Sequence, residues 1–198
     1  RYLKYEMMRV IDYVIRDAAL APLAAPAGLQ VDKVDTVPPD IGGLYEAVRH
    51  DKKCLLRRDY RYLKWRYFDN PARDDYEVWT VRRSGRLGGL MVLKPGSGLA
   101  PDSATIVDWL VPEADSDAAD ALLHKAVQRQ HEEQKQRLLA VFPPWSKEHE
   151  HLVARGFVET PSANWMQRRL IHNICIPQVT AEFLTENWWY TLGDSDLA

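Results

Sequence analysis

The chain has 198 residues, 46% apolar and 27% charged, with a formal net charge of −2. This is an ordinary globular composition, long enough for one domain or one and a half around a real core. The near-neutral balance speaks against nucleic acid as a partner, no apolar run reaches the roughly 20 residues of a membrane span, and two distant cysteines, Cys54 and Cys175, do not make a disulfide framework or zinc knuckle.

No secretory signal is legible at the start, so a reducing, cytoplasmic setting is expected. Seven Trp and nine Tyr are many for this length and predict aromatic walls or an aromatic face. In chain order, Leu3, Met7, Val10, Ile11, Val14 and Ile15 recur at helical spacing and predict a helix over residues 2–20. A breaker-rich linker follows to Gly28. Alternation predicts a strand from Leu29 to Val37, and Asp40 is placed to cap a helix carrying Leu44 and Val48. The aromatic and basic run from Tyr60 to Phe68 reads as a helix that stops at Asn70-Pro71. Tyr76–Val81 and Leu87–Leu93 flank Ser84-Gly85 and predict a hairpin. Ala104–Val111 reads as a strand, and Asp117–Gln136 as an amphipathic helix with Asp115, Ser116 and Asp117 as caps and dipole partners at its start. A short strand over Arg137–Phe142, a helix over Lys147–Arg155 closed by Gly156, a strand over Ala163–Ile171 and a short helix over Ala181–Thr185 complete the order.

Two words stand out in that order: IVDWLVP at 106–112, which runs into the long helix, and HLVARGF at 151–157. With them, residues 29–171 resemble the GNAT-type N-acetyltransferases. The segments RDYRYLKWRYFDNP at 58–71 and WWYTLGDSDL at 188–197 are similar to the C-terminal halves of bacterial GNAT-like proteins found with surface-polysaccharide genes. The resemblance implies an α/β (α+β) fold with a mixed, mostly antiparallel central sheet flanked by helices. It divides the chain into an N-terminal helix and linker (1–28), the GNAT-like domain (29–171) and a C-terminal tail (172–198) packed on it. It also implies acetyl-CoA or another acyl-CoA as cofactor, no metal, and a small-molecule amine or amino sugar as acceptor. Leu110, Val111, Ser116 and Ala118 would line the cofactor, and Arg82, Arg83 or Arg86 would reach over from the hairpin to its phosphates.

The family's pyrophosphate loop is glycine-rich, because backbone N–H groups must approach the phosphates closely. Here the same place reads Pro112-Glu113-Ala114-Asp115-Ser116-Asp117, followed by Asp120, with no glycine and no arginine. Two like charges about 4 Å apart repel by about 4 kcal/mol at an effective dielectric near 20, enough to remove most of a micromolar affinity. The acids read more simply as helix caps and dipole partners.

Asp108, on the strand that lines the family's cleft, is the candidate general base. Its plainer reading is a side chain on the solvent face of an alternating strand. Leu152 stands where the family usually has its acid tyrosine, and His149 and His151 are the nearby substitutes, their plainer reading being surface residues of a charged helix. Being two apart on a helix, they face different sides. His124 and His131 share a helix face but lack a third ligand. Cys54 after His50 lacks an orienting group and reads as a small buried residue. The basic and aromatic run from Arg57 to Tyr67 is either an inward aromatic stripe with charged side chains snorkelling outward, or a saccharide platform.

Two functions stay open. One is an acyl-CoA-dependent N-acyltransferase. The other is a degenerate, non-catalytic GNAT-like domain that docks or positions substrate within a larger protein. The apolar N-terminal segment and the surplus of Trp point to a partner surface, either a dimer or a missing N-terminal half.

Overall fold

The computed structural model describes residues 5–10, 12–96, 102–161, 169–173 and 179–195, with 5–10 and 169–173 given as backbone. Its strands are β1 (Tyr5–Val10), β2 (Asp12–Asp17), β3 (Gln30–Val34), β4 (Cys54–Leu55), β5 (Glu77–Arg83), β6 (Arg86–Lys94), β7 (Ser103–Leu110), β8 (Arg137–Ala140), β9 (Val158–Pro161), β10 (Arg169–Asn173) and β11 (Trp188–Trp189). Its helices are α1 (Ile41–His50), α2 (Tyr60–Leu63, continued by a wider π-type turn over Lys64–Phe68), α3 (Ser116–Glu132), α4 (Lys147–Val153) and α5 (Ala181–Asn187).

Seven strands form one sheet in the order β3-β5-β6-β7-β8-β2-β9. All neighbours are antiparallel except β7 and β8. The expected mixed, mostly antiparallel sheet is therefore present. One face carries α3 and α4 over Val81, Met91, Ile106 and Leu138. The other carries α1, α2 and the π-type turn over Val78, Leu90, Val92 and Val107. On α3 the predicted stripe is the buried one: Ala119, Leu122, Leu123, Ala126, Val127 and Gln130. The β5–β6 turn has both central residues at positive φ, Ser84 at 50° and Gly85 at 81°, as a two-residue I′ hairpin requires. Gly156 closes α4 at φ 88°, with its own N–H bonded to Val153 and that of Phe157 to Leu152.

The helix expected over residues 2–20 is a correction. Its described part is strand, and β2 is hydrogen-bonded on both sides, to β8 and to β9. Adjacent residues Tyr13 and Val14 are buried in different clusters on opposite faces. A strand covered on both faces loses the polar–apolar alternation, and its apolar run then mimics helical spacing. The β-branched Val10, Ile11, Val14 and Ile15 were the local hint for strand. Of the closing strand expected over Ala163–Ile171, residues 163–168 lie outside the described residues, as do Cys175 and Asp196.

Between β6 and β7 the pairing passes from Val92↔Asp108 to Leu93↔Ile106, which makes Val107 the extra residue of a bulge. The parallel β7–β8 pairing runs only from Ser103↔Arg137 to Thr105↔Leu139. Beyond Thr105 the two strands diverge, and this opens a V in the middle of the sheet.

Candidate functional site

The open end of that V is the crevice where the fold has room for a ligand. In this chain it is filled from within. Trp189 is fully buried there, its ring 6.1 Å from Phe142, which in turn stands 6.3 Å from Trp109. The Arg58 guanidinium lies 4.8 Å from the Trp189 ring and the Lys52 ammonium 5.5 Å from it. Trp189 reaches this place because β11 pairs in parallel with β4, just after α1. Its Nε1 donates to Glu148 at the start of α4, at 3.0 Å. Lys52, whose side chain is fully buried, donates to Glu148 at 2.8 Å and also to Glu113 on the β7–α3 loop. These two carboxylates and the ammonium strap the mouth shut. The remaining opening between Trp109, Glu113, Ser116 and His151 is about 30 Å³, room for about two water molecules.

Of the loop acids, Asp115 alone takes the capping role expected of them, while Glu113 meets Lys52, Asp117 meets Arg83 and Asp120 meets Arg155. Asp115 is the N-cap of α3, and its Oδ1 accepts from the backbone N–H of Ala118 at 3.1 Å. That N–H is therefore not open to a phosphate. Arg83 does reach over from β5, but its Nη2 meets Asp115 at 3.3 Å and Asp117 at 3.2 Å. Arg82 is held by both oxygens of Asp40, at 2.8 and 2.9 Å. Asp40 does occupy the N-cap position of α1, yet its carboxylate serves Arg82 and makes no cap bond. Leu110 and Val111 are buried in different cores, one under α1 and the other under α3. Ser116 borders both the closed crevice and an open groove of about 780 Å³. That groove runs between α1, the β5–β6 hairpin and the loop, and includes Gly43, Arg86, Gly88 and Asp117. At this loop a CoA pyrophosphate would meet the carboxylates of Asp115 and Asp117, which already engage the Ala118 N–H and Arg83, a donor set that does not favour it.

Asp108 is wholly buried. Its Oδ1 accepts from Arg58 Nε at 2.8 Å, from the Trp109 backbone at 2.9 Å and from the Thr191 hydroxyl at 3.1 Å. Its Oδ2 accepts from the Tyr67 hydroxyl at 2.9 Å. Arg58 also donates to Asp194 at 2.6 Å, and Thr191 caps the short turn that holds Asp194. Burial opposes the Arg58 charge, but the carboxylates of Asp108 and Asp194 outweigh it and raise its pKa. Burial raises the Asp194 carboxyl, against the pull of Arg58 and with a further push from Asp108. Burial likewise pushes the Tyr67 phenol up, and Asp108 adds to the effect. The network ties the tail to the middle of the sheet. Gly193 lies so close that a Cβ there would stand 2.5 Å from the Tyr67 hydroxyl.

The two histidines stand apart from Asp108 and from each other. His149 Nε2 lies 2.9 Å from Glu159 on β9. His151 Nε2 lies 3.0 Å from Asp120 on α3, out of hydrogen-bonding alignment. Asp120 is itself gripped by Arg155. Leu152 is buried in the α3–α4 core. Elsewhere, the His50 side chain is 74% exposed, and His124 meets the Leu23 carbonyl at 2.7 Å.

Burial, and then Arg155, hold His151 below its ordinary value of 6.5 despite the pull of Asp120. A depressed imidazole binds fewer protons folded than unfolded. Its contribution to stability is therefore complete above about pH 6.5 and is lost as pH falls through the folded value. The urea midpoint is expected to drop between pH 7.5 and pH 5.5 (about one unit either side of the free value), and His151→Gln is expected to flatten that drop. An unchanged slope in the variant would assign the acid sensitivity to other groups.

No family model matches the chain, and no curated protein matches it. Solved structures do. A functionally unknown conserved protein from Staphylococcus epidermidis superposes with a TM-score of 0.54 at 12% identity, over 80% of this chain and 60% of that one. A probable N-acyltransferase from Enterococcus faecalis gives 0.50 at 14% identity, over 68% of this chain and 33% of that one. A GCN5-related N-acetyltransferase from Anabaena variabilis gives 0.48 at 14% identity, over 69% of this chain and 34% of that one. The fold is GNAT-like. The match spans only a third of the length of the last two proteins and three fifths of the first. Identity this low speaks for architecture and leaves chemistry to the site.

Proposed function

We propose that this chain is a GNAT-fold domain that holds no acyl-CoA in its strand crevice and serves as the docking or substrate-positioning part of a larger acyltransferase assembly. The observation that carries this reading is the Trp189 plug, strapped in place by Lys52, Glu148 and Glu113. The capped α3 terminus supports it independently. On this reading Asp108 is a positioning residue that anchors the tail and is not a base. The open groove by Arg86 and Ser116 is where a small-molecule amine would rest, an amino sugar of a surface polysaccharide being the class the sequence resemblance suggests. A second copy or an N-terminal half would supply the cofactor site.

Acetyl-CoA and plain CoA titrated into the chain by calorimetry at low salt are expected to give no binding heat up to millimolar cofactor. Micromolar binding would overturn the reading. The alternative, an acyl-CoA-dependent N-acyltransferase, is favoured by one observation: the bulge at Val107 and the divergence of β7 from β8 do form the crevice. That alternative requires the tail to leave when cofactor arrives.

A further inference from the structure

The segment around α2 has an outward face that neither the fold nor the proposed function uses. Its large apolar residues Leu56, Tyr60 and Trp65 are 46%, 48% and 64% exposed. They recur at steps of four and five, and each stands next to an exposed cation: Arg57, Arg61 and Lys64. The same segment is anchored from the inside. Arg58 and Tyr67 bind Asp108, Tyr62 donates to the Gly193 carbonyl at 3.0 Å, and Leu63 is fully buried. The outward side chains are thus presented on a rigid base. Arg57 pairs with Asp59 and Lys64 with Asp69, but the cationic side chains remain 76% and 47% exposed. Exposed pairs of this kind are weak and leave the charges available to a surface.

From this we infer that the α2 face docks on an anionic lipid surface, with Trp65, Tyr60 and Leu56 entering the headgroup region and Arg57, Arg61 and Lys64 meeting lipid phosphates. Interfacial segments combine these residue types, amphipathic rings and aliphatic side chains flanked by basic residues. A saccharide would use the two aromatic rings and leave Leu56 without a role. A single-stranded nucleic acid would call for a longer basic track than three cations on a chain of net charge −2. A lipid surface uses all six side chains. The inference does not depend on whether the crevice binds cofactor.

The test is co-sedimentation of the whole chain with vesicles of phosphatidylcholine, with and without about a third phosphatidylglycerol, at low salt. The chain is expected to bind the anionic vesicles only and to be released by salt. Trp65→Ser and Tyr60→Ser are expected to abolish most of the binding. Arg57→Gln and Arg61→Gln are expected to weaken it about fivefold each. All four positions are exposed, so the variants should keep the wild-type circular dichroism and urea midpoint. Absence of binding to anionic vesicles would overturn the inference. So would equal binding to pure phosphatidylcholine, or retention of full binding in Trp65→Ser. Binding of oligothymidylate or an acidic saccharide in place of vesicles would assign the face to another class of partner.

Discussion

Replacing Asp108 with Ala is expected to cost about 3–5 kcal/mol in urea unfolding, because it strands a fully buried guanidinium. The wild-type pair is expensive to assemble, since both ions leave water, and it is sustained only by the hydrogen bonds around it. Asp108 accepts four of these, from Arg58, Tyr67, Thr191 and the Trp109 backbone. After substitution Arg58 keeps Asp194 as its carboxylate partner, with the Leu56 carbonyl and the Thr191 hydroxyl as further acceptors. That carboxyl is held above the usual range by burial and, in part, by repulsion from Asp108. Removing Asp108 lets Asp194 ionise more readily and take up part of the load, so the lower half of the range is the more consistent figure. Tyr67→Phe, which removes one donor and leaves the ions paired, should cost less, about 1.5–3 kcal/mol. A loss below about 1 kcal/mol in Asp108→Ala would mean that water reaches Arg58, and the network would then be no anchor for the tail.

The sequence made the scaffold legible where short-range chemistry decides it. The Ser84-Gly85 turn, the α3 stripe and Gly156 after α4 each rest on one local requirement, and each is met. Of the acids of the β7–α3 loop, Asp115 was legible for the same reason, since it caps the N–H three residues on. What escaped depends on partners far along the chain. β2 looks helical until β8 and β9 enclose it. Asp108 looks like an available base on a cleft strand until Arg58, 50 residues earlier, and Thr191, 83 residues later, are brought to it. Lys52 had no local signal, since nothing in its neighbourhood shows that Glu113 and Glu148 will enclose it. Trp189 was visible as part of the aromatic tail, but the two-residue pairing of β11 with β4 that carries it into the crevice leaves no mark on either segment.

Trp189→Ala separates the two obstacles to a cofactor. The side chain is fully buried against Phe142, Arg58 and Lys52, so its removal is expected to cost about 3–5 kcal/mol as a large-to-small core substitution. It also takes from Glu148 the Nε1 donor, which leaves that carboxylate dependent on Lys52. The crevice then has space, but the phosphate end is unchanged: Asp115 still caps Ala118, and Arg83 still lies between Asp115 and Asp117. Calorimetry on a folded Trp189→Ala chain is therefore expected to show no CoA binding, as in the wild type. Should the variant bind CoA while the wild type does not, the tail is a plug on a working site and the loop acids tolerate a pyrophosphate. In that event the second reading of the fold, an acyltransferase held shut by its own tail, replaces the first. If neither chain binds, the loop alone suffices to exclude the cofactor, and Trp189 is there to close a crevice that would otherwise stand empty in the middle of the sheet.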